Sequence, residues 1–164
     1  MSSTVQMKKT LIAYFSASHS TKKVALCLAA LTEADTFEIS PEVPYTEADL
    51  NWQDRQSRSA REIDNPFSRP RLAATVENIG QYDVLYLGFP IWWYTAPALI
   101  RSFLDAHDLS DITIIPFATS EGSKIHRAIA ELRRDYPKLH WREGMLLNNP
   151  TDKLLKDWTH QQNC

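Results

Sequence analysis

The chain has 164 residues, 43% of them hydrophobic, and a formal charge of −2. That is enough apolar surface for one core and too little for two ordinary domains, so a single domain over 1–164 is expected, with 1–9 and 161–164 flexible. The near-neutral charge, with Lys and Arg scattered, argues against a nucleic-acid partner. No apolar stretch is long enough to cross a bilayer, and Met1 to Lys9 lacks the apolar middle of a signal peptide, so no membrane partner is expected and the compartment is cytoplasmic.

Taken in order, Thr10 to Phe15 is an apolar run rich in strand formers, followed by the hydroxyl-bearing stretch Ser16-Ala-Ser-His-Ser-Thr21. From Thr21 to about Leu31, Val24, Ala25, Leu28 and Leu31 recur at helical spacing. Thr36 to Ile39 reads as a second strand. The segment Pro41 to Arg71 is polar and broken by prolines 41, 44, 66 and 70, an excursion from the core in which Glu47 to Ile63 could form an exposed helix. Ala73 to Ile79 is expected to end the helix that returns to the sheet. Asp83 to Phe89 is nearly continuous in apolar residues, the pattern of a parallel strand covered on both faces. Pro97 to His107 is a helix, Ile112 to Ala118 a buried strand, Ser123 to Tyr136 a helix, Glu143 to Leu147 a last strand, and Pro150 to His160 a closing helix. Cys27 falls in an apolar helical pattern and Cys164 in a polar tail, so neither pairing nor metal binding is suggested. The five histidines have no ligand spacing, and no metal site is expected.

Alternating strands and helices with right-handed crossovers make a doubly wound α/β sheet, whose ligands sit beyond the carboxyl ends of the strands. Three loops then hold the functional information: Ser16 to Thr21, Pro90 to Ala96, and Thr119 to Ser123. In the first, hydroxyls precede a helix whose unpaired N–H groups and dipole favour a phosphate. The bland alternative is a serine-rich helix cap. No glycine precedes Gly80, which rules out the glycine-rich dinucleotide turn and the glycine-lysine nucleotide loop. The second loop, Pro90-Ile-Trp-Trp-Tyr-Thr-Ala-Pro97, places three adjacent aromatics where a flat partner could dock, or where they pack as a satellite core.

In combination these loops resemble the flavodoxin family, and specifically its FMN proteins with a Pro-Ile-Trp-Trp loop. The resemblance spans nearly the whole chain and implies a five-stranded parallel sheet of order 2-1-3-4-5. It implies that Ser16, Ser18 and Thr21 grip the FMN phosphate, with Ala17, His19 and Ser20 completing the loop. It also places Trp92 against the flavin ring beside Pro90, Ile91, Trp93 and Tyr94, and has Thr119, Ser120 and Gly122 border the pyrimidine edge. Departures are His19 where the family usually has glycine, Glu121 where a small residue is common, and a third loop without the tyrosine that covers the second flavin face in many electron carriers. Tyr45 or Trp52 of the excursion could cover that face instead. Thr95 falls where many one-electron flavodoxins have a glycine whose peptide flips on reduction, a movement that a β-branched residue resists.

With FMN as cofactor, no protein nucleophile or acid–base pair is required, because the flavin supplies the redox chemistry. The first reading is an FMN-dependent oxidoreductase moving hydride from a reduced nicotinamide to a small, quinone-like acceptor. The alternative is a flavodoxin shuttling single electrons between redox protein partners, which normally docks through a strongly acidic surface that this chain lacks. A receiver-type signalling domain would need acidic residues where Phe15-Ser16 and Phe89-Pro90 stand. The oligomer is expected to be a monomer or homodimer.

Overall fold

The computed structural model describes residues 9–51, 53–120 and 124–162. In chain order the elements are β1 (Thr10–Tyr14), α1 (Ser20–Thr32), β2 (Asp35–Glu38), α2 (Arg58–Asp64), β3 (Val84–Pro90), α3 (Ala98–Ala106), β4 (Thr113–Thr119), α4 (His126–Asp135), β5 (His140–Trp141), β6 (Met145–Leu146) and α5 (Asp152–Gln162). All the strands pair in parallel, in the order β2-β1-β3-β4, with β5 and β6 both lying against the outer edge of β4. This is the doubly wound 2-1-3-4-5 sheet expected from the sequence, with its fifth lane in two pieces.

Side chains alternate between faces along each strand, so the sheet has two cores. Ile12, Tyr14, Tyr86, Ile115 and Phe117 meet Val24 and Leu28 of α1 and Leu155 and Trp158 of α5. Leu11, Ala13, Leu85, Leu87 and Phe89 meet Leu99 and Phe103 of α3 and Leu132 of α4. Gly88 makes room for this packing: a Cβ there would lie 2.2 Å from Phe117 Cζ. Among the described residues no helix is long and apolar enough to cross a membrane.

Three sequence expectations fail, each for a local reason. The helix expected over Glu47 to Ile63 is confined to α2, because short polar side chains upstream bond the backbone into turns. Thr46 and Asp49 cap one another's N–H groups at 3.0 and 3.1 Å, Asn51 and Asp54 accept from Gln53 and Gln56, and Ser57 caps α2 through Ala60 N–H. The returning helix at Ala73 to Ile79 is absent. Leu72 bridges Pro41 antiparallel, Ala73 N–H donates to Ser40 O, and Val76 N–H donates to His107 Nε2 at 2.9 Å, leaving only a 3₁₀ turn at Ile79–Gln81. That acceptor role for Nε2 assigns the His107 proton to Nδ1, which donates to Phe103 O.

The last strand, expected as Glu143 to Leu147, is split. β5 pairs with Thr113 and Ile114, β6 pairs with Phe117 and Ala118, and the gap faces Pro116, which has no N–H to give a ladder. Gly144 lies in the gap, where a Cβ would sit 2.7 Å from Pro116 O. The chain passes too close there for any other residue to fit without a shift.

Candidate functional site

The carboxyl ends of β1, β3 and β4 bring the three expected loops to one edge of the sheet. Phe15 N–H donates to Gly88 O and Ile91 N–H to Thr119 O, so the first and second loops leave their strands fastened to the neighbouring one. In the first loop Ser16 Oγ accepts from Lys22 N–H at 3.1 Å, which makes Ser16 the side-chain cap of α1. Ala17 packs half-buried against the core, while Ser18, His19 and Ser20 are exposed. His19 takes the N-cap position with φ 65°, a left-handed backbone that favours glycine. Helix geometry leaves the N–H groups of Ser20 and Thr21 without intrahelical acceptors, so they and the exposed hydroxyls of Ser18 and Ser20 form an open donor set at the positive end of a helix.

Thr21 occupies a different place from the one its hydroxyl suggested. It is 1% exposed, and its Oγ1 lies 2.8 Å from Thr119 Oγ1, beneath the loop. It therefore joins the first and third loops, and the open hydroxyls above it belong to Ser18 and Ser20. Next along the third loop, Ser120 is clamped by Asn148, which accepts from its N–H at 2.9 Å and donates to its carbonyl at 2.6 Å. Sequence reading missed Asn148. Its signal was the Asn148-Asn149-Pro150 turn after the last strand, where short amides commonly bond nearby backbone. Gly122, expected at the pyrimidine edge, lies outside the described residues, as do Glu121 and Trp52.

The second loop is a two-residue hairpin turn. Trp92 and Thr95 exchange both backbone hydrogen bonds, at 2.9 and 3.0 Å, and Trp93 and Tyr94 between them have φ 47° and 68°. Both central residues at positive φ fit a type I′ turn, which usually holds Asn and Gly. The backbone constraint expected at Thr95 thus falls one and two residues earlier, and Thr95 is a hydrogen-bonded turn flank. Pro90 ends β3 half-buried and Ile91 is buried. Trp92 is half-buried, edge-on to both Phe15 and Tyr45 with centroids 5.6 Å apart, so its ring belongs to a three-aromatic cluster. Trp93 and Tyr94 are 37% and 55% exposed at the tip.

Tyr45 reaches the cluster from the excursion, and what holds it there was not legible in the sequence. Its hydroxyl donates to Glu62 Oε1 at 2.5 Å, and the Arg58 guanidinium lies 4.0 Å over its ring. Arg58 also donates to Glu62 at 3.0 Å and to Val43 O at 2.7 Å. Burial first, then the bond to Glu62, pushes the Tyr45 hydroxyl far above its ordinary value and keeps it a donor.

On the other side of the aromatic turn lies a cleft of about 850 Å³ between α2, the start of α3 and α4. Trp93, Thr95 and Ala96 line it, and none of residues 16–21 does. The loop edge therefore has a hydroxyl-rich turn and a separate concavity, with the aromatic turn between them.

A doubly wound sheet with a hydroxyl-rich helix start and an aromatic turn at adjacent strand ends defines a flavodoxin-like protein. The family model described as Flavodoxin matches residues 9–162, and the chain belongs to that family. Two solved structures are similar over nearly their full length. A provisionally assigned flavoprotein of Bacteroides eggerthii is 42% identical, covering 96% of this chain and 99% of that one with a TM-score of 0.93. A second, from Bacteroides uniformis, is 42% identical, covering 93% and 98% with a TM-score of 0.90. A Lactobacillus acidophilus flavoprotein solved in complex with FMN shares the fold at 22% identity, covering 93% of this chain and 99% of that one with a TM-score of 0.70. No curated protein shows significant sequence similarity to the chain.

Proposed function

We propose that the protein binds FMN and acts as an FMN-dependent oxidoreductase, passing reducing equivalents from a reduced nicotinamide to a small quinone-like acceptor. The observation that carries this reading is the adjacency of an open donor set at the start of α1 and an aromatic turn at the end of β3. The residues present suit the group. Ser18, Ser20 and the first N–H groups of α1 would hold a dianionic phosphate, and Trp92, with Tyr45 behind it, would offer an apolar edge to the ring. The Lactobacillus relative solved with FMN adds support from the same fold. When bound, FMN supplies hydride and electron transfer; the chain orients it and limits what reaches it. A net charge of −2 gives weak electrostatic steering toward a basic redox protein, which favours a small-molecule acceptor over the shuttle. The cytoplasm is the compartment this reading fits.

The test is a visible spectrum of the purified protein, followed by anaerobic titration with NADH and NADPH. Flavin absorbance that bleaches with one equivalent of either nicotinamide is expected. A colourless protein that does not take up added FMN overturns the cofactor, and FMN that dithionite reduces but neither nicotinamide does overturns the enzyme in favour of the shuttle. Replacing Ser18 and Ser20 together by alanine should weaken FMN about tenfold or more while leaving riboflavin nearly unchanged, since hydrogen bonds to a charged group contribute about 1.5–3 kcal/mol. Equal losses for both ligands overturn the phosphate assignment.

A further inference from the structure

The cleft beside the aromatic turn has the makings of a second binding site. Its volume of about 850 Å³ suits a ligand of two or three fused rings. Small apolar residues line part of it, Ala60 and Ile63 from α2 and Ala96 and Ala98 at the start of α3. Trp93 stands at its edge, held there by a strained turn. A non-glycine residue at positive φ costs on the order of 1–3 kcal/mol, and here the paired Trp92 and Thr95 hydrogen bonds enforce it.

The charges of the walls are unevenly satisfied. Arg101 and Arg134 share Asp135, at 2.5 and 3.0 Å. Among the described residues Arg127 has one long 3.9 Å contact with Glu131, is 66% exposed, and leans toward the Tyr94 ring at 6.0 Å. Across the cleft Arg55 is exposed and makes no hydrogen bond or ion pair among the described residues. Glu62 is already engaged by Arg58 and Tyr45, which leaves Asp64, at the end of α2, as the acidic residue of the lining without a basic partner among the described residues.

We infer that this cleft seats a planar aromatic anion, with its rings beside Trp93 and its anionic group on Arg127, and with Arg55 adding to the positive field from the facing wall. The occupant's role as the small-molecule substrate rests on the redox reading above; its binding does not. The serine loop contributes nothing to the walls, so the anion on Arg127 and the FMN phosphate have separate places.

Calorimetric titration of the FMN-free and FMN-loaded protein with 6-hydroxy-2-naphthoate, 2-naphthoate and 2-naphthol tests this. Saturable binding is expected for 6-hydroxy-2-naphthoate and 2-naphthoate alike, and weaker binding for 2-naphthol, which lacks the charge. The double variant Arg55→Ala/Arg127→Ala should weaken 6-hydroxy-2-naphthoate about tenfold or more, as expected for lost hydrogen bonds to a charged group, while leaving FMN affinity and the 2-naphthol titration unchanged. Equal affinity in wild type and variant, 2-naphthol binding as tightly as the naphthoates, or displacement of FMN by 6-hydroxy-2-naphthoate overturns the inference. None of these depends on turnover. A protein that binds the naphthoate yet fails the nicotinamide titration refutes the enzyme alone, and the converse refutes the cleft alone.

Discussion

His19 stands at the N-cap of α1, where the serine loop turns into the helix. The position usually held by glycine in related proteins has φ 65° here, and the histidine side chain provides no cap for α1. A left-handed conformation costs an L-residue roughly 1–2 kcal/mol, against roughly 0.5–1 kcal/mol of extra chain entropy that glycine loses on folding. His19→Gly should therefore stabilise the protein by about 0.5–1 kcal/mol, visible as a higher urea midpoint with an unchanged slope. A lower midpoint would mean that the imidazole makes a favourable contact outweighing the strain. Trp93 and Tyr94 mark the opposite case. Nothing in a run of aromatics announces a type I′ turn, whose usual sign is Asn-Gly, so sequence reasoning placed the backbone constraint at Thr95.

Among the elements, those with a periodic apolar pattern were legible to within a few residues: β1, β3 and β4 as continuous runs, α1, α3, α4 and α5 as amphipathic helices. Where the pattern fades, chemistry of other kinds decides. Thr46, Asn51 and Asp54 divert backbone groups into turns, and Pro116 opposite Gly144 breaks the fifth lane. Neither outcome follows from hydrophobic spacing. The excursion owes its position to Arg58, which bonds Glu62 and the Val43 carbonyl and covers Tyr45. Arg58→Ala should destabilise the fold by about 1–3 kcal/mol, because the partly buried Glu62 loses its cation and the Val43 carbonyl loses its donor. Hydrogen exchange should rise over residues 43–64 and stay unchanged in β3 and β4. A uniform rise across the sheet would show that the excursion unfolds only with the whole protein. Because Tyr45 packs on Trp92, the variant should also change Trp92 fluorescence.

Across the whole molecule, Asp135 links α4 to α3 through Arg101 and also binds its neighbour Arg134. Chiefly Arg134, and then Arg101, hold its carboxyl below the ordinary carboxylate range, although burial opposes them. The ionised form is thus favoured by folding. Its contribution is complete above the unfolded value near 4 and is lost as pH falls through the lower folded value. Asp135→Asn should be less stable than wild type at pH 7, and the gap in urea midpoints should close toward pH 2; a gap independent of pH would place the effect in packing. The three loops were legible because strand ends in a doubly wound sheet must converge, whereas the contacts that join them span nearly a hundred positions and leave no local trace. Thr21 and Thr119 are such a contact. Two hydroxyls bring two hydrogens to that pair, and the bond between them consumes one. A single hydrogen is left over, and it belongs to whichever oxygen is acting as acceptor. With Thr119 as donor, the free hydrogen sits on Thr21 in the first turn of α1. With Thr21 as donor, it sits on Thr119 at the end of β4. The pair is thus a two-position rotor, and an acceptor beside either buried threonine sets the direction of the bond for both.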